Sequence, residues 1–137
     1  MKFWILLITV LLFSSCGKNN INALTHTKVD FKSLPAEIKE YLRNPTEAQK
    51  DIQTMLLELP KGSKPNYRLE TVKTWIGPWV AYEELIDINK NVSYKIDQGL
   101  PSPYIVFDDK LYVSDKHNIF TTVDDLDSVE FTCYELK

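Results

Sequence analysis

Apolar positions along this chain follow three successive regimes. The first is an unbroken run, Phe3 to Phe13, interrupted only by Thr9. The second has helical spacing. Leu34, Ile38, Tyr41 and Leu42 share one face, and Ala48, Ile52, Met55, Leu56 and Leu59 recur at i, i+4, i+7, i+8 and i+11. The third, from about Tyr67 onward, has a period of two, clearest where Val92, Tyr94 and Ile96 alternate with Ser93, Lys95 and Asp97.

The helical region predicts two helices. The first runs from Leu34 to Leu42, with Ser33 as N-cap and Pro35 in the first turn. The second starts at the capping-box sequence Thr46-Glu47-Ala48-Gln49 and ends before Pro60. The period-two region predicts about six short strands. Residues 79–88 fit a helix or a strand, and the clean alternation that follows favours the strand. Asn89-Lys90-Asn91 and Asp108-Asp109-Lys110 read as turns, and Val123–Asp127 as one helical turn. Strands in this order pair antiparallel, and amphipathic helices need an apolar surface to cover. The expected fold is α+β: two N-terminal helices packed on a mainly antiparallel, meander-like sheet of about five to six strands.

The opening run is too short to span a bilayer core well, which takes about 20 apolar residues as a helix. With Lys2 before it and Ser14-Ser15 after it, the run has the form of a secretory signal. Phe13-Ser14-Ser15-Cys16 resembles the lipobox of bacterial lipoproteins, with Phe13 where that family usually has Leu. The resemblance covers the targeting segment only. It implies cleavage after residue 15, a diacylglyceryl thioether and an acylated amine on Cys16, and a cell-envelope address. Several acyl chains on one residue hold a protein firmly, because each buried CH₂ adds roughly 0.8 kcal/mol. Gly17, rather than Asp, follows the cysteine; by the same resemblance this implies the outer membrane where the cell has one. The expected organisation is a signal peptide over 1–15, a lipidated Cys16 with a flexible tether to residue 30, and one globular domain over 31–137.

The chain has 137 residues with 16 Lys+Arg and 19 Asp+Glu. This mild acidity argues against nucleic acid as a partner. Residues 100–137 hold eight acidic and three basic side chains, an asymmetry that suits a basic partner. With Cys16 lipidated, Cys133 is left without a disulfide partner. It shares a strand face with Val129 and Phe131 and reads as a core residue.

Catalytic patterns are weak. The two histidines, His26 and His117, lack metal-spaced partners. Asp124-Asp125-Leu126-Asp127 lacks the Gly and distal Glu of a helix–loop–helix calcium site and reads as helix-start acids. There is no Gly-x-Ser-x-Gly elbow and no phosphate loop. No cofactor, metal or catalytic residue is expected. Trp75 and Trp79, flanking Ile76-Gly77-Pro78, are the candidate binding surface. The expected function is a non-enzymatic, lipid-anchored binding module. The alternatives are an immunity or inhibitor lipoprotein that neutralises a toxin or lytic enzyme, and, more remotely, an envelope hydrolase.

Overall fold

Two sheets, with the helix Ala36–Arg43 beside them, make up the architecture among the described residues. The structure is a computed structural model that describes residues 18–44, 56–59, 64–73, 80–97, 104–116, 119 and 125–136. The strands are β1 (Lys18–Asn20), β2 (His26–Asp30), β3 (Leu56–Leu59), β4 (Tyr67–Lys73), β5 (Val80–Asp87), β6 (Val92–Asp97), β7 (Tyr104–Phe107), β8 (Lys110–Ser114) and β9 (Glu130–Glu135). The helix is α1 (Ala36–Arg43), and short 3₁₀ turns cover Ile21–Ala23, Phe31–Ser33 and Leu126–Ser128.

The first sheet has the order β1-β6-β5-β4 and the second β2-β9-β8-β7-β3. Each is an antiparallel three-strand meander extended by strands from the N-terminal part of the chain. β1 joins β6 in parallel, β3 joins β7 in parallel, and β2 joins β9 antiparallel.

The side-chain pattern follows from what each sheet covers. In the first sheet Tyr67, Leu85, Tyr94 and Ile96 point inward, while Arg68, Glu70 and Lys95 take alternate positions. One mainly buried face gives this alternation, with Glu84, opposite Glu70 and Lys95, buried on the other face. The second sheet is apolar on both faces. Tyr104, Val106, Leu111, Val113 and Tyr134 meet the first sheet, whereas Ile105, Tyr112, Phe131 and Cys133 pack with Phe31, Leu34, Ile38 and Leu42. A strand covered on both sides reads as a continuous apolar run, and Tyr104-Ile105-Val106-Phe107 is such a run.

This corrects the expected fold. The protein is mostly β, with two sheets instead of one and a single α-helix among the described residues. The capping box at Thr46 lies outside those residues, but the end of the expected second helix, Leu56–Leu59, is strand β3. Helical spacing would place Leu56 and Leu59 on one face. As a strand the segment sends Leu56 to the inter-sheet core and Leu57 to the core under α1, so both layers gain apolar contact. Tertiary burial overrides local periodicity here.

The expected tether is also structured from its third residue. Lys18–Asn20 is β1, Ile21 is fully buried, and His26–Asp30 is β2. Asn20 and Asp30 start the two 3₁₀ turns that follow, accepting from the backbone N–H of Asn22 and Ser33. Those bonds to Ser33 also hold the Asp30 carboxyl below its ordinary pKa. Residues 80–87 are strand. Cys16 and the segment Phe13–Cys16 that resembles a lipobox, and Trp75 and Trp79, lie outside the described residues.

Candidate binding cleft

Strand directions bring several loops to one end of the two sheets. The β5–β6 hairpin turn, the β7–β8 turn, the end of β3 and the start of β4 all lie there, because Tyr67 pairs with Asp87, Asp87 with Val92, and Leu59 with Phe107. Between them is a cleft of about 390 Å³, whose polar lining is Glu58, Asn66, Asp87, Asn89, Lys90, Asp108 and Asp109, together with Tyr67.

Local backbone chemistry explains why acidic and amide side chains collect at this end. Phe107 and Lys110 are paired, leaving a two-residue loop in which Asp108 and Asp109 have φ of 51° and 56°. Two consecutive left-handed residues make a type I′ turn, whose twist matches the strands and which Asp tolerates better than most residues. In the β5–β6 turn, Asp87 Oδ1 accepts from Asn89 N at 3.1 Å and Lys90 N at 3.0 Å, and Asn91 has φ of 53°.

Three of the four carboxylates are tied into the frame. Glu58 accepts from Asn66 N at 3.0 Å through both oxygens and from Tyr67 N at 3.4 Å. Asp87 holds its turn as described. Asp109 Oδ1 accepts from Tyr67 Oη at 3.1 Å, a bond from one sheet to the other. Burial of Tyr67, followed by the Asp109 hydrogen bond and charge, pushes the phenol well above its ordinary pKa. Asn89 Nδ2 donates to Asn66 Oδ1 at 2.9 Å, and Ile88 N donates to the Asn66 carbonyl. Asp108 is exposed at the rim. The result is a pre-formed acidic opening with Lys90 on its edge.

The bond set gives a test. Replacing Glu58 by Ala removes the acceptor of the Asn66 and Tyr67 backbone donors; Asn66 N is exposed and takes water instead, so the loss is the net worth of a hydrogen bond, about 0.5–1.5 kcal/mol. Urea denaturation of E58A is expected to show a loss in that range. E58Q, which keeps one acceptor oxygen, is expected to lose less.

The cleft is not legible in the sequence. Asp108-Asp109 reads as a turn, which is how the pair is used, and Glu58, Asn66 and Asp87 lie in separate segments. The legible signal was the adjacent Asp pair in a two-residue loop and the Asn-rich turn at 89–91. The strands that bracket Trp75 and Trp79, β4 and β5, end and begin at the opposite end of the sheets from the cleft. Asp125, considered above for calcium, accepts from Asp127 N at 3.0 Å at the start of a 3₁₀ turn. Among the described residues no group of three or more His, Cys, Asp or Glu could hold a metal ion, and no helix is long and apolar enough to cross a membrane.

No family model matches the chain, and no match was found among curated proteins or solved structures.

Proposed function

We propose that this chain is a lipid-anchored envelope protein that works by binding, and that its cleft receives a basic group of a partner protein. The placement is supported by the lipobox at Phe13–Cys16. The binding role is supported chiefly by the cleft, where four carboxylates face one lysine. A carboxylate that already accepts backbone or tyrosine hydrogens is a positioned, charged acceptor for a guanidinium or ammonium. Such fixed acceptors suit recognition better than proton transfer, which favours this reading over hydrolysis.

Two measurements test it. Palmitate should label the protein in the cell, and Cys16→Ser should move it from the membrane fraction to the soluble one; unchanged fractionation with no label overturns the anchor. Crosslinking in the envelope should recover a partner, with capture about two- to fivefold lower for Asp108→Asn. Asn accepts left-handed backbone, so this change removes charge and keeps the turn. Turnover of a small substrate with no recovered partner overturns the binding role.

An immunity or inhibitor lipoprotein is the second form of the same reading. The acidic bias of residues 100–137 favours it, since basic toxins and lytic enzymes offer complementary surfaces. A toxin gene beside this one would support it, and an unrelated neighbourhood would weaken it.

A further inference from the structure

The chain enters its first strand at the cleft end of the molecule. β1 runs parallel to β6, with Lys18 opposite Ser93 and Asn20 opposite Lys95. The chain therefore enters the first sheet level with the start of β6, beside the β5–β6 turn at 88–91. Only two peptide links separate Cys16 from Lys18, so their Cα atoms stand no more than about 7.6 Å apart. No spacer of useful length remains between the acylated residue and the folded body.

A second observation falls on that end. Ile88, at the start of the turn, is 41% exposed, the large apolar side chain left open to solvent among the described residues. It is followed by exposed Asn89 and Lys90, and Lys64 is exposed two residues before Asn66. An exposed aliphatic side chain beside lysines suits a headgroup layer, where the apolar part inserts and the ammonium groups meet phosphates. Asp108 and Asp109 offset those lysines, so the surface fits a zwitterionic bilayer better than a strongly anionic one.

We propose that the β5–β6 turn is the membrane-contacting tip, and that the domain stands on the bilayer with the cleft opening at the headgroup layer. β5, with eight residues at about 3.4 Å each, then carries the opposite end of the sheets roughly 27 Å outward. This rests on the lipid-anchored reading and deepens it: a partner that reaches the cleft must itself lie at the membrane surface.

The test uses the mature lipidated protein in phosphatidylcholine–phosphatidylethanolamine vesicles. An environment-sensitive fluorophore is placed at Asn89→Cys or, at the opposite end, at Lys116→Cys, and headgroup-labelled quencher lipid is added. Both samples should float with the vesicles, and quenching at position 89 should be at least threefold that at position 116. Flotation with equal or reversed quenching overturns the orientation while the anchor stands. Failure to acylate or to float overturns the anchored reading, and the orientation with it.

Discussion

Above about pH 10 the protein is expected to lose stability steeply and unfold near pH 12. Tyr67, Tyr94, Tyr104, Tyr112 and Tyr134 are all buried. Burial pushes each phenol above its ordinary pKa, and neighbouring groups add to the shift: Asp109 at Tyr67, Asp87 at Tyr94, Glu83 at Tyr104 and Cys133 at Tyr112. The folded chain therefore keeps protons that the unfolded chain releases near pH 10. A group with a raised folded pKa stabilises fully below the unfolded value and loses that contribution as pH rises past it. Tyr67, Tyr104 and Tyr112 carry the largest shifts, and each lowers stability by up to about 1.4 kcal/mol per pH unit in that window, or roughly 4 kcal/mol per unit for the three. Against a total of about 5–15 kcal/mol, about two units suffice in the lower half of that range. The Cys133 thiol, also raised by burial, acts in the same sense from a slightly lower pH.

Two signals followed together on alkaline titration check this. Tyrosinate absorbance should rise in one cooperative step that coincides with loss of circular dichroism. Tyr104→Phe should make the fall in stability with pH about one-third shallower. Gradual ionisation centred on pH 10, with the fold retained, would show that these rings are not shut away from water.

Much of the strand pattern was legible because each tight turn carries its own backbone demand. Asn91, Asp108 and Asp109 have positive φ, and Asn and Asp are the side chains that announce such positions. The partition of those strands into two sheets was not legible. Alternation tells which residues share a face, but not which face of which sheet they meet. Leu56-Leu57-Glu58-Leu59 shows the difficulty, since its short apolar run fits either period and only its parallel pairing with Tyr104–Phe107 decides. Lys18-Asn19-Asn20 shows it from the polar side. An edge strand held through its backbone needs no apolar signature, and buried Ile21 just after it was the one clue. The cleft was hidden for a related reason: its carboxylates come from β3, β5 and the β7–β8 turn, and only the topology makes them neighbours.

Replacement of Ile38 by Ala is expected to cost about 2–5 kcal/mol, the range for emptying a fully buried aliphatic site. α1 has eight residues, too few to be stable alone in water, so it persists through the face it buries. That face is Ile38 and Leu42, continued by Leu34, and it covers Ile105, Tyr112, Phe131 and Cys133 on the second sheet. Alanine is the better helix former, so local propensity opposes the loss by less than about 1 kcal/mol. The exposed neighbour Glu40, changed to Ala, should shift stability by no more than about 0.5 kcal/mol. A Cys16→Ser background leaves Cys133 as the single thiol, and that thiol reports on the same layer. It should react slowly with maleimide in the parent and measurably faster in Ile38→Ala, because the opened site lies in the core that covers it. If Ile38→Ala matched Glu40→Ala in urea and left the thiol rate unchanged, α1 would be an appendage, and something else would have to cover the outer face of the second sheet.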